Sequence, residues 1–256
     1  MNRTSTILRI AVLLGAVSFF ALPFLASAYF GFTLPGRGFT FEPLMRLATG
    51  RSAFWDQLGR TLLLALCTAV VGSALLTSTL LWLHLRARKL LPIAEGLSVL
   101  PFVVPPVALV MGANLFFRSI YPGFLTHLLS LVPFYVIITM PLMYRALDSG
   151  MLALDLRTLV DAGKSLGARR LRILIQILLP NLAPAMIASS LICVAMVLGE
   201  FVMASLLLHN TFPVFLAQAG QDNPRAAAAL AFLTMVGTWL LLAAVARTLH
   251  TPRRPQ

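Results

Sequence analysis

Apolar residues in this chain run in long unbroken blocks, separated by short polar clusters. An apolar helix of ~20 residues is what a ~30 Å hydrocarbon core requires. On that measure the blocks predict six membrane-crossing helices, at about 7–30, 61–85, 93–117, 124–144, 182–208 and 226–246. The third block contains Pro101, Pro105 and Pro106, which remove backbone donors and are expected to disturb a helix near its start. Between the last two blocks, 212–218 is too short to cross and reads as a re-entrant turn, followed by a turn at Asp222-Asn223-Pro224.

One polar stretch is long, from Asp148 to Asn181, well beyond the ~2–8 residues that usually join neighbouring helices. Its own pattern predicts two short helices. Asp155 is placed to cap the first, and Leu156, Leu159, Val160 and Gly163 fall on one face at i, i+3, i+4 and i+7. Gly167 stands at a helix stop, where a left-handed backbone costs glycine little. A second helix is expected from about Ala168, with Leu171, Leu174, Ile175 and Leu178 as its buried stripe and Pro180 as its end. Periodicity alone fits an interfacial element with arginines toward lipid headgroups equally well.

Composition agrees with the blocks. Hydrophobic residues make up 59% of the 256 and charged residues 11%, too few to clothe a soluble surface. Mean hydropathy is +0.90. The net charge of +12 does not point to nucleic acid, because the basic residues sit in clusters between apolar blocks. With both termini inside, 14 of the 20 Lys and Arg face the cytoplasm and 6 face outward, which predicts an N-in, C-in orientation. Arg3, Arg9 and Ala26-Ser27-Ala28 also fit a secretory signal with its cleavage site. The apolar run through Tyr29 and Phe30 favours an uncleaved span. Cys67 and Cys193 lie in apolar runs without a CxxC neighbour and read as core residues.

Candidate chemistry is sparse. Glu200 is the one acidic residue within the core of a predicted span, and an ionisable group there is a functional candidate. It either lines a path for a cationic solute or bonds a neighbouring helix. The four histidines are scattered, and no HExxH, aspartate pair or serine–histidine cluster supports a membrane hydrolase. No GxxxxGK[ST] loop is present to cradle phosphates.

The long polar loop carries a more specific signal. Asp161-Ala162-Gly163, three residues, Gly167, nine residues, then Ile177-Leu178-Leu179-Pro180 resembles the cytoplasmic loop of ABC importer permeases, Glu-Ala-Ala…Gly…Ile-x-Leu-Pro. Asp161 replaces the usual Glu and Gly163 the second Ala, keeping charge and small size. Pro101-Phe102-Val103-Val104-Pro105-Pro106, Leu198-Gly199-Glu200-Phe201 and Thr211-Phe212-Pro213-Val214 are similar to segments of the spermidine/putrescine branch. The likeness covers about 54–245 and is faint over the first 50 residues.

The resemblance implies an all-α polytopic fold of six transmembrane helices, similar to type I ABC importer permeases, with residues 1–256 as one permease domain and 148–181 as a two-helix coupling loop. It implies a transport subunit, not an enzyme, that binds no cofactor or metal itself. ATP and Mg would be used by two cytosolic ATPase subunits, beside a second permease, identical or homologous, and an extracytoplasmic solute-binding protein, in lipid of a bacterial inner membrane. Leu159, Asp161, Ala162, Gly163, Leu166, Gly167 and Pro180 would contact or couple to the ATPase. Ala162 and Gly163 would leave room for close approach, and the Leu156/Leu159/Val160 face would be covered by the partner. Pro105, Pro106, Asn114 and Glu200 would line the translocation path. The branch points to polyamines, while related permeases serve ferric iron, thiamine, phosphonates or oxyanions. An ion-coupled carrier is the reading from another class. It would show internal repeats and charged midplane sites, and no convincing repeat is visible.

Overall fold

The structure, a computed structural model, describes residues 3–42, 44–45 and 53–250. It is helical throughout, save one short antiparallel hairpin in which Thr33–Leu34 (β1) pairs with Gly38–Phe39 (β2). Among the described residues, four helices are long and apolar enough to cross a membrane: Leu8–Phe32, Phe54–Arg86, Leu128–Leu152 and Arg170–Leu198. A fifth crossing exists if the bent pair Arg88–Val103 and Pro106–Ile120 counts as one. We label the helices α1 (Arg3–Phe32), α2 (Ala53–Arg86), α3 (Leu91–Val103), α4 (Pro106–Ile120), α5 (Leu131–Leu152) and α6 (Leu156–Ser165). They continue with α7 (Arg170–Leu198), α8 (Val202–Leu206), α9 (Phe212–Asp222) and α10 (Pro224–His250).

Four expected boundaries move. The block at 93–117 is two helices bent by 92°, broken in its middle rather than near its start. A residue before proline is driven to extended backbone. Two prolines in succession therefore leave Val104 (ψ 118°) and Pro105 (ψ 136°) extended, and Pro106 opens α4 in the position proline favours. Pro101 is absorbed in the last turn of α3. The block at 124–144 begins as two 3-10 turns, Phe124–Thr126 and Leu128–Ser130, and its helix runs on to Leu152, past Arg145 and Asp148. The block at 182–208 ends as a helix at Leu198. The block at 226–246 falls within α10, which is longer at both ends.

Pro180 does not end the second loop helix, which continues without interruption into the fifth block. The reason is local. In an α-helix the Pro180 ring would press on the carbonyl of Gln176. Here Leu174–Leu178 forms a π turn, with the Leu179 N–H bonded back to the Leu174 carbonyl, and the wider turn makes room. The re-entrant turn expected at 212–218 is part of an 11-residue helix, α9. Asn223 then forms the expected turn, its side chain accepting from the Ala226 N–H at 3.2 Å.

The chain divides into two compact units. In one, α1 packs against α10. Gly31 allows this, because a Cβ there would strike the Ala229 backbone, and the Ser27 hydroxyl donates to the Ala228 carbonyl at 3.3 Å. Phe32 meets Phe39, Phe41 and Phe232 edge to face or stacked, and the Arg225 guanidinium lies 4.7 Å over the Phe30 ring.

The other unit, Asp56–Val214, holds the loop and the predicted path residues. Its core lies where α5 meets α7. Gly150 packs on Ala185 with no room for a side chain, and Tyr135, Met143, Leu147 and Leu182 are fully enclosed. Ser73 on α2 bonds Ser190 on α7 at 2.9 Å, a polar tie of the kind apolar surroundings favour. Both cysteines are free, and Cys193 is buried.

Candidate functional site: an interhelical elbow and a separate open cavity

The elbow is built from the sequence outward. The Asp155 carboxylate accepts from the Thr158 N–H at 3.3 Å and the Thr158 hydroxyl at 2.6 Å, capping α6. Those bonds, the hydroxyl's foremost, hold the Asp155 carboxyl below its ordinary range, and Arg88 adds to the effect. At the far end Gly167 adopts φ +73°. The Ala168 N–H reaches back to the Gly163 carbonyl at 3.0 Å and the Gly167 N–H to the Lys164 carbonyl at 2.8 Å. This pair of bonds is the Schellman stop, and it satisfies carbonyls the helix end would otherwise orphan.

Two expectations about the partner-facing side are corrected. Leu156 is buried, and Leu159 and Val160 pack against the chain's own core, so that face is already covered. Gly163 is buried too. A Cβ there would sit 2.9 Å from Ile173 Cγ1 and 3.0 Å from Ile177 Cδ1, so the close approach it permits is to α7 within the same chain. The outward face of α6 consists instead of Arg157, Thr158, Asp161, Ala162, Lys164, Ser165 and Leu166, all exposed, with Leu166 at 87%. Asp161 is paired on this face with Lys164 at 2.9 Å, a solvent-exposed contact worth at most ~1 kcal/mol.

The stripe on the second helix also shifts. Ile173 and Leu178 are buried, with Leu174 and Ile177 beside them, while Leu171 and Ile175 are exposed. Leu174 and Leu178 therefore keep their expected side, and Ile173 and Ile177 take the inner places expected of Leu171 and Ile175.

A buried pair escaped the sequence reading. His84, at the end of α2, is 2% exposed and lies with Nε2 2.7 Å from Asp148 Oδ1 on α5. Beside it the Tyr144 hydroxyl donates to the Leu91 carbonyl at 3.4 Å. Asp148, placed at the start of a loop from sequence, is in fact within a helix, seven residues before the cap at Asp155. The available signal was a histidine just before the basic cluster Arg86, Arg88 and Lys89, at the end of an apolar block.

The four path residues do not come together. Pro105 and Pro106 sit exposed at the break between α3 and α4. Asn114 lines an open cavity of about 450 Å³ with Arg118, Thr126, Leu208 and His209. Leu208 has φ +59°, a left-handed backbone costly for a residue with a Cβ, and is 88% exposed. The His209 Nε2–H donates to the Leu125 carbonyl, 3.0 Å away, and burial pushes the imidazole below the ordinary value. Glu200 lies elsewhere. It stands two residues past the end of α7, between it and α8. Its carboxylate accepts from the Met203 N–H at 2.8 Å and the Ala204 N–H at 3.4 Å, which caps α8, and it interacts with Tyr135. Of the two roles open to it from sequence, the geometry displays the helix-bonding one.

Residues 81–254 match the family of binding-protein-dependent transport system inner membrane components. A relative in Sinorhizobium fredii (strain NBRC 101917 / NGR234), the probable ABC transporter permease protein y4fN, is 28% identical over 232 residues. The alignment takes in 85% of this chain but 40% of that protein, so the chain spans about two fifths of the relative's length. With a family match over more than half its residues and several helices suited to crossing a bilayer, this multi-pass membrane chain belongs to the binding-protein-dependent transport system inner membrane components.

Proposed function

We propose that this chain is the permease subunit of an ATP-driven importer, set N-in and C-in in a bacterial inner membrane. It works beside a second permease, two cytosolic ATPase subunits and an extracytoplasmic solute-binding protein. Alternating access moves the solute inward. ATPase closure pushes α6, the elbow at Gly167 passes the push to α7, and the external side opens.

The observation that carries this reading is the form of the elbow. The inner face of α6 is consumed by its own chain, its outer face is free, and the helix it leads into is 29 residues long and apolar. A lever needs that combination of a bare contact face, a rigid joint and a long arm. Ala162 and Leu166 are on the contact face. Gly163, Leu159 and Pro180 act within the lever, by close packing and by the π turn. Asp161 supplies charge at the surface.

Substrate follows the motif likeness, which favours a polyamine. The external cavity favours a second reading, an anionic solute such as a phosphonate or oxyanion. Arg118 faces it without an acidic partner among the described residues, and Glu200 is engaged in capping. Ligand titration of the cognate solute-binding protein with putrescine and with a phosphonate separates the two.

The coupling role is tested with a photoreactive group at position 162 in the whole importer in native membranes. Crosslinking to a cytosolic ATPase, and loss of uptake when ATP is depleted while ion gradients persist, are the expected results. Crosslinks confined to phospholipid, or uptake that tracks the ion gradient alone, sink the proposal.

A further inference from the structure

Beside the elbow, from Gly167 along the start of α7, lies an open cavity of about 540 Å³. Its lining is divided in character. Arg169, Arg172 and Gln176 supply guanidinium and amide donors, and Leu171 and Ile175, 65% and 54% exposed, supply an apolar wall. Neither arginine has an ion pair among the described residues, and no acidic side chain lines the cavity. A soluble-protein surface would leave this charge to water. The position of α7 places it elsewhere.

At 1.5 Å per residue, the 29 residues of α7 reach about 44 Å, against a hydrocarbon core of ~30 Å and ~40–45 Å with both headgroup layers. An α7 that crosses the bilayer therefore holds its first ~4–5 residues, ~5–7 Å, in the inner headgroup layer. Leu171 and Arg172 stand there, and Ile175 and Gln176 stand one turn on, where the hydrocarbon begins. Donors meet apolar surface at the depth where a lipid phosphate meets its acyl chains. Basic pockets on the cytoplasmic side of transmembrane helices suit anionic headgroups for this reason.

The geometry points to a binding site for the headgroup of an anionic phospholipid, with Arg169 and Arg172 on the phosphate, Gln176 beside it, and Leu171 and Ile175 against the first methylenes of the chains. A bound lipid there would brace the base of the lever next to Gly167. This site is independent of whether an ATPase drives α6.

The test uses the full chain, reconstituted in vesicles of equal phosphatidylglycerol and phosphatidylcholine, extracted and weighed intact by native mass spectrometry. Phosphatidylglycerol retained about ten-fold over phosphatidylcholine is expected from two arginines near an anionic surface. The pair Arg169→Gln, Arg172→Gln should bring retention to parity. Arg169→Lys, Arg172→Lys should keep most of the preference and show that the fold survives. Equal retention of both lipids by the unaltered chain, or an unchanged preference in the glutamine pair, overturns the site. Displacement of phosphatidylglycerol by excess inorganic phosphate overturns the lipid in favour of a soluble anion. A photoreactive group at position 175 that labels a cytosolic protein and not lipid in native membranes overturns it in favour of a protein partner.

Discussion

The long path of this chain is broken at Gly167 and again at Val104–Pro105, and the two breaks are made differently. At Gly167 the helix end is closed by its own bonds, Ala168 to Gly163 and Gly167 to Lys164, and the flanking helices touch where Gly163 meets Ile173. At Val104–Pro105 the turn is imposed by prolines that cannot bond, and its neighbours Phe102, Val103, Val104 and Val107 are all exposed. A joint closed on itself transmits force. A joint left open in apolar surroundings must meet another protein surface or a water-filled path, since lipid cannot satisfy bare backbone. The first break is closed within this chain, and the second leaves backbone for a protein surface or water to satisfy.

The contrast breaks most sharply at Gly167 itself. A residue with a Cβ pays ~1–2 kcal/mol there, and a β-branched one more. Nothing crowds the position, so backbone strain is the whole cost. Gly167→Val is expected to insert normally yet lose more than about ten-fold of solute-stimulated ATP hydrolysis, while Gly167→Asn, tolerant of φ > 0, keeps most of it. Vesicle ATPase assays of both variants decide this.

Next in size is the tie behind the elbow. His84→Ala leaves Asp148 half-enclosed and unpaired, a loss of about 1–3 kcal/mol, visible as a lower midpoint of thermal unfolding in detergent. Asp148→Asn should recover part of the loss when made in the same chain, because it removes the stranded charge. Additive losses in the double variant would refute the pairing. Gly163→Val forces Ile173 and Ile177 apart and should cost about 1–3 kcal/mol by the same measurement, with Gly163→Ala much milder.

At the start of α8, Glu200→Gln preserves an acceptor for the Met203 N–H, so uptake should stay within about two-fold, whereas Glu200→Ala loses the cap at ~1 kcal/mol. A collapse of uptake in the glutamine variant would instead assign Glu200 to the path. The smallest effect is at Asp155. Its carboxyl titrates below the ordinary range in the folded chain, so its contribution is present above the unfolded value of 3.8 and fades as pH falls through the folded value. Asp155→Ala should lower the midpoint slightly at neutral pH and remove that acid-side slope.

Much of the elbow was legible in the residues because its signals are local. An aspartate three residues before a threonine N–H, and a glycine one turn past the last apolar position, act within a single turn of backbone. What failed was any inference that crossed a break in period. The expected stripe held at Leu174 and Leu178 but not at Leu171 and Ile175, and the π turn at Leu174–Leu178 let the helix pass Pro180. Pairings between distant segments were equally hidden. His84 and Asp148 are 64 residues apart, and nothing along the chain announces their contact.

The residues by themselves determined that this is a helical membrane protein with one long polar loop of two capped helices, because block length, charge placement and cap chemistry are one-dimensional properties. Tertiary structure decided which faces remain free. Leu156, Leu159, Val160 and Gly163 were candidates for a partner until the chain's own core and α7 were seen to occupy them, leaving Ala162 and Leu166 outward. Burial of one face by another part of the same chain depends on where α5 and α7 meet, and that meeting is a matter of packing in three dimensions.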